Sequence, residues 1–394
     1  MNHARMGIRR CRPMPLAALA VVATLAGCAS VASTATASVA SRVDALAPTP
    51  SPYPTPTPGA DGRLPALEIP AIYSGSAPDL RGYDPTKLRV VVATGDFVPA
   101  RVSTALMRQH NSFVPLWGPV TATLKSGDIT VLNVGDAITT TCPTATTGST
   151  FCGDTRILAP MMAASAPSVV ANVANNHITN FGQQGLDETI ANLSNAGAHV
   201  SGFDQIPVIN VRGVRFAFVG IDFVAHRITL DHMKLLIDTA RSQADVVVAQ
   251  IHGGKEYETY PQAGLSQDPK VLDHVAIDDG ADIVIGNFPH CAEGSEIYKG
   301  KMIAYAQGNF LFDQDWSIGT QESVVGRYYF YGTQLVAVQY VPLRVVGQTT
   351  PTPLDPATGE GRKILDRIAR SSREIAGLQA PFYPDLSDGN NACT

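Results

Sequence analysis

The apolar positions of this chain fall into short β-branched runs, and run after run ends on polar residues. Val169 to Ala174 is one such run and reads as a buried strand. It breaks into Asn175, Asn176 and His177, after which Gly182 opens a helix carrying Leu186, Ile190 and Leu193 on one face and closing at Gly197. Leu88 to Thr94 ends in Gly95-Asp96, Ile129 to Val134 in Gly135-Asp136, and Val246 to Ile251 in His252-Gly-Gly254. Ile283 to Ile285 runs into Phe288-Pro289-His290, and Ile303 to Ala306 into Gln307-Gly308-Asn309.

Helical spacing separates these runs over Val102 to His110, Trp117 to Leu124 and Met233 to Arg241. Asp268-Pro269 supplies an N-cap and an N1 proline for a helix ending at Asp278. Arg212-Gly213 is a hairpin turn between Val208–Val211 and Val214–Ile221, and Thr333 to Val345 reads as a long last strand. Ile364 to Ala376 reads as a helix with a basic face. Strands alternating with helices, plus one antiparallel hairpin, predict an α/β domain with mixed sheets over residues 86–346, followed by a C-terminal tail over 347–394.

In such folds ligands bind beyond the carboxyl ends of the strands. Six runs deliver Asp96, Asp136, Asn176 with His177, His252, His290 and Asn309 to those ends. Imidazole, carboxylate and carboxamide oxygen together suit a borderline divalent metal such as zinc, manganese or iron. No two of these residues share a local metal-binding spacing, so the signal lies in the set. Each residue taken singly also reads as a hydrogen-bonded loop residue.

Composition changes the picture at the N-terminus. Arg5, Arg9, Arg10 and Arg12 precede an apolar run from Pro15 to Leu25, too short to span a membrane as a helix. Leu25-Ala-Gly-Cys28 resembles the lipobox of bacterial lipoproteins, which implies a signal peptide over 1–27 and a lipid on Cys28. Alternating prolines from Pro48 to Pro58 then make residues 28–65 an anchor and stalk, extended at about 3.1 Å per residue. Losing residues 1–27 takes the 29 basic residues to 25 against 34 acidic ones, which argues against nucleic acid and an anionic bilayer surface as main partners. The expected location is the bacterial cell envelope, outside the cytoplasmic membrane. In an exported protein Cys142 and Cys152 are expected to pair, while the sequence leaves Cys291 and Cys393 open.

Several motifs are recognisable in order: Gly95-Asp96, Asn133-Val-Gly-Asp-Ala-Ile-Thr-Thr140, Ala174-Asn-Asn-His-Ile178 and Gly185-Leu-Asp-Glu-Thr-Ile190. They continue with His252-Gly-Gly-Lys-Glu-Tyr257, Gly280-Ala-Asp-Ile-Val-Ile-Gly286, Pro289-His290 and Tyr305-Ala-Gln-Gly-Asn-Phe-Leu-Phe-Asp-Gln314. Over nearly all of residues 88–345 the chain resembles the CapA family, poly-γ-glutamate capsule-synthesis proteins of calcineurin-like metallophosphatase architecture. The resemblance implies a four-layer α/β/β/α sandwich with a dinuclear metal site. On it, Asp96 is similar to the first carboxylate ligand, Asn176 to the amide ligand, His252 and His290 to metal-binding histidines, and His177 to the histidine that assists a leaving group.

The departures matter as much. Gly135 stands where the family usually has Glu, with Asp136 one place late as the replacement ligand. Phe288 stands where it usually has His, and Asn180 where it has Asp. The expectation is therefore one firmly held divalent ion (manganese, iron or zinc) on Asp96, Asp136, Asn176, His252 and His290, with a second held weakly. Two functions follow. One is a capsule-polymer protein acting with other capsule-synthesis proteins in polymer synthesis, export or anchoring. The other is a metallohydrolase of an envelope phosphoester, with His177 as general acid.

Overall fold

The computed structural model describes residues 64, 67–143, 145–378 and 393. The leader, Cys28 and the proline-rich stretch of the stalk lie outside the described residues. Two mixed sheets carry the fold. In the first, the order is Thr350–Pro353, Gln334–Val346, Glu322–Tyr331, Leu88–Phe97, Ile129–Val134, Ser168–Asn172 and His199–Ser201, and Asn309–Leu311 pairs beside the end of Leu88–Phe97. In the second it is Ser295–Tyr298, Lys301–Ala304, Ile283–Asn287, Val246–His252, Val214–Asp222 and Val208–Val211.

Side chains alternate across each strand, so one β-branched run supplies two cores. Val91 and Ala93 of the first sheet meet Phe216, Phe218, Val248 and Ile285 of the second in a shared core. Val92, Leu132 and Val169 point the other way, onto Met107, Met161, Leu186 and Leu193 of the helices Val102–Gln109, Leu158–Ala164 and Gly182–Asn195. Behind the second sheet, Ala217, Val247 and Val284 pack on Met233 and Ile237 of Leu230–Gln243 and on Leu272 and Ala276 of Pro269–Asp278. Burying each large apolar side chain contributes about 1.5–3 kcal/mol, and this two-sided burial is why the strands read as continuous apolar runs.

The packed unit is wider than residues 86–346. Ile72 and Tyr73, before it, join the shared core. Beyond Val346, Thr350–Pro353 adds an edge strand, and Gly359–Ile375 seats Ile364, Leu365 and Ile368 in the same core. A strand over Glu322–Tyr331, which the sequence reading passes over, pairs antiparallel with Leu88–Phe97. The helix expected over Trp117–Leu124 shrinks to Thr121–Leu124, because Pro119 follows Gly118 and helical propagation starts only beyond them. The hairpin at Arg212-Gly213 and the Asp268 cap, which accepts from the Lys270 amide, form as expected. Both cysteine pairs are bonded, Cys142–Cys152 and Cys291–Cys393, each with Cα atoms 5.5 Å apart. Among the described residues no helix is long and apolar enough to cross a membrane.

Candidate functional site

Leu88–Phe97 runs past Thr94, so Asp96 lies inside the strand, opposite Asn133 on one side and Asn309 on the other. Gly95 makes this possible: a Cβ there would lie 1.8 Å from the Gly308 carbonyl oxygen, so only glycine lets the two segments pair. Asn133 Nδ2 donates to Asp96 Oδ1 at 2.7 Å, and Asn172 Nδ2 donates to Asn133 Oδ1 at 3.0 Å. A file of amides thereby aims one carboxylate from the first sheet toward the second.

The second sheet answers with two imidazoles. His290 follows Pro289 in a loop where Phe288 and His290 both have positive φ, 108° and 63°, a costly backbone that turns the ring back onto the sheet edge. Its Nδ1 lies 3.0 Å from Asn309 Oδ1 and 3.1 Å from Asp96 Oδ2. One proton cannot point at both acceptors. It is directed at Asn309, leaving buried Asp96 Oδ2 with a charge contact and no directed donor. Burial alone would lower the His290 pKa, but the close negative charges of Asp96 and Glu256 outweigh it and hold it at about 9. Burial would likewise raise Asp96, yet His290, His252 and Asn133 hold it below its ordinary value.

His252 ends the strand Val246–His252, with Nε2 3.1 Å from Asn176 Oδ1 and Nδ1 3.4 Å from Asn175 Nδ2. The consistent tautomer has Nε2–H donating to Asn176 and Nδ1 accepting from Asn175. Burial lowers its pKa against the pull of Asp96 and Asp222, so the ring is neutral. Phe288 neighbours both imidazoles, its ring centre 5.1 Å from that of His252 and 6.0 Å from that of His290.

His177 flanks this group. It meets Phe151 edge-on at 4.2 Å, and its Nδ1 is buried with no partner among the described residues. Burial, helped by the charges of His290 and His252, takes its pKa down to about 4 despite a hydrogen bond that the ring donates to Asn180.

Asp136 is the one expected ligand whose contacts lead away. A Cβ at Gly135 would lie 3.2 Å from Asn175 Nδ2, so position 135 faces the site. Asp136, in the bend between the strands Ile129–Val134 and Ala137–Thr139, reaches the other way, where its Oδ2 would be 3.2 Å from a Cβ at Gly153. Both its oxygens are buried without a partner among the described residues, and burial raises its pKa well above normal.

Three residues escape the sequence reading. Glu256 Oε1 lies 3.7 Å from His290 Nε2, placed by the loop after His252, and its only signal was that motif. Asn175 and Asn133 act through amide bonds that only register reveals. Behind His252, Asp222 ends the strand Val214–Asp222, is 2% exposed, bonded to His226 Nδ1 at 2.5 Å and paired in the ladder with His252.

The donors fit a borderline divalent ion in kind: carboxylate, amide oxygen and neutral imidazole, with a buried Asp96 oxygen lacking a directed donor. Among the described residues no three His, Cys, Asp or Glu side chains converge on a point, and amides complete both pairs.

Residues 90–314 match the family described as bacterial capsule synthesis protein PGA_cap. The chain is similar to a capsule biosynthesis protein CapA of Bacillus anthracis, 32% identical over 49% of this chain and 51% of the relative. It is similar to a PGA biosynthesis protein CapA of Bacillus subtilis, 30% identical over 56% of this chain and 62% of the relative. A probable polyglutamine synthesis accessory protein of Mycobacterium tuberculosis is 27% identical over 57% and 67%. The chain thus spans about half to two thirds of the length of these relatives. A solved hypothetical protein from Thermus thermophilus aligns over 65% of this chain with a TM-score of 0.44 and 13% identity, too slight a likeness to carry an argument.

Proposed function

This chain belongs to the PGA_cap family of bacterial capsule synthesis proteins, and from that premise we propose that it acts in poly-γ-glutamate or a related capsule polymer's synthesis, export or anchoring. The observation that carries the reading is the meeting of the Asp96–His290 and Asn176–His252 pairs between two sheet edges, inside the segment that defines the family. Asp96, Asn176, His252 and His290 would hold a divalent ion, with Asn309 and Glu256 beside them. Such an ion supplies Lewis acidity and an anchor for the carboxylates of an anionic polymer. The protein's own side chains orient the donors: Asn133 and Asn172 aim Asp96, Asn175 sets the His252 tautomer, and Pro289 turns His290 inward.

Two sheets sharing an inner core, with helices outside each, support a four-layer α/β/β/α arrangement of metallophosphatase kind. The leader supports export and a lipid on Cys28, which would keep the domain at the membrane while the stalk holds it off. Metabolic labelling with a palmitate analogue should tag the protein and fail on Cys28→Ala; an untagged wild type would overturn the anchor.

A second reading, hydrolysis of an envelope phosphoester, draws on His177 at the flank of the cluster. Its pKa of about 4 weighs against it, since the imidazolium, the stronger acid, is scarcely populated near neutral pH. Deleting the gene in its own bacterium and restoring either wild type or His252→Ala/His290→Ala decides the proposal. Wild type should restore the polymer and the double variant should not. A variant that restores it removes the metal from the function, and polymer unaffected by deletion removes the capsule role.

A further inference from the structure

A second group of carboxylates lies away from the strand-end cluster, under the helix Pro269–Asp278 and against the outer face of the second sheet. Asp273 projects from that helix and is 1% exposed, and Glu293 projects from the segment after His290 and is 2% exposed. The Glu293 backbone is fixed, its amide donating to the Ala306 carbonyl at 3.0 Å, while the Tyr305 amide donates to Gly294 at 3.2 Å. Yet both carboxylate oxygens of Glu293 and Oδ1 of Asp273 are buried with no hydrogen-bond partner among the described residues.

The neighbours do not relieve them. Glu296 is the third acid of the group, and its Oε2 accepts from Tyr305 Oη at 2.6 Å and faces His274 Nε2 at 3.0 Å. Those two donors are thus already used. Glu293 feels the charges of Asp273, Glu258 and Asp268, and Asp273 those of Glu296 and Asp268, so the facing groups are overwhelmingly acidic. The nearby cations are engaged outside: Lys255 with Glu258 at 2.6 Å and Lys270 with Asp268 at 3.9 Å. Glu258 and Asp268 are partly exposed, 29% and 37%, so negative charge leads from the surface to the buried pair.

Unpaired buried carboxylates are among the costliest groups a fold can hold. Protonation would remove the charge but would still leave a buried carboxyl oxygen of Glu293 without a donor. A cation solves it for both at once, and the acidic path concentrates cations at its mouth. We propose that Asp273 and Glu293 form a buried site for a hard divalent cation of the magnesium or calcium type. Among the described residues no three His, Cys, Asp or Glu side chains form a metal-holding group there. Two carboxylates with water is an ordinary way to hold magnesium, and calcium accepts carboxylates in either one- or two-oxygen contact. The oxygen-only donors distinguish this site from the imidazole-bearing one between the sheets.

The test is thermal unfolding of the mature protein after chelation, with MgCl2 or CaCl2 added back separately. Either ion at millimolar concentration should raise the wild-type Tm by at least about 3 °C. Glu293→Gln and Asp273→Asn, both close in shape to the native side chains, should abolish that rise and melt above the chelated wild type. His290→Ala should keep the rise, which separates this site from the strand-end cluster. Either variant alone suffices should the other fail to fold. No rise with either ion, or an equal rise in Glu293→Gln, overturns the proposal. So does a wild type that ignores both ions and merely loses stability as pH rises, since the carboxylates then hold a proton instead.

Discussion

Asp96 and His290 come from different sheets and sit 3.1 Å apart, yet the imidazole proton between them is directed to Asn309. The carboxylate oxygen left without a directed donor is the atom that a metal would take. Asp96 is held ionised and His290 protonated, so a metal must displace that proton to bind.

Elemental analysis of the purified protein should therefore find about one transition metal per chain. His252→Ala or His290→Ala should each remove it, while circular dichroism stays native. Retention of the full complement by both variants would show that the ion binds elsewhere.

The two missing family donors can be put back. Position 135 faces Asn175, and Phe288 neighbours both imidazoles. Gly135→Glu with Phe288→His should raise metal content toward about two per chain. The cost is crowding, since a Cβ at 135 would stand 2.7 Å from Val98 Cγ2. A destabilisation of about 1–3 kcal/mol is expected from overpacking. Metal content unchanged in a folded double variant would sink the idea.

Asp136→Asn should leave metal content unchanged, because the carboxylate points toward Gly153. Its pKa is raised by burial, so the folded protein prefers it protonated, and wild type loses stability as pH climbs above the unfolded value of about 4. The variant should thus gain on wild type by about 1 kcal/mol or more as pH rises above about 4. Loss of metal in Asp136→Asn would instead make this carboxylate a ligand.

Asp154 works with the opposite sign. Despite the cost of burial, Arg156 and Arg108 hold its carboxyl well below the usual range, with Arg108 Nε at 2.7 Å and Arg156 Nη2 at 2.9 Å. That stabilisation is complete above the unfolded pKa of about 4 and is lost as pH falls below it. Asp154→Asn should cost about 1–3 kcal/mol at neutral pH, with the gap to wild type closing toward about pH 2. Urea unfolding across pH measures it, and a gap that stays constant would remove the charge explanation.

The Cys142–Cys152 bond closes a loop with a sequence separation of 10 beside Asp154. Non-reducing peptide mapping should find the two cysteines linked. Replacing both with serine should cost about 2–3 kcal/mol in the loop-entropy picture. Two free thiols in the native protein would refute the bond.

The sequence by itself settled where the buried strands lie, though not their last residues, since Leu88–Phe97 runs on through Asp96. Runs such as Val246 to Ile251 are buried on both faces, so their apolar continuity survives into the fold, and a His or Asn after such a run must emerge at the sheet edge. Local chemistry likewise settled the Arg212-Gly213 hairpin and the Asp268 cap, because turns and caps depend on adjacent residues. Only tertiary structure decided which donors meet. Asp96 and His290 are 194 positions apart, and their contact depends on how two sheets face one another, a relation no local pattern encodes. The same holds for Asp136: a single-residue shift from 135 to 136 is invisible as composition but turns a side chain to the opposite face. Glu293 and Asp273 look like ordinary surface acids in sequence, and burial made them costly only when a helix closed over the sheet.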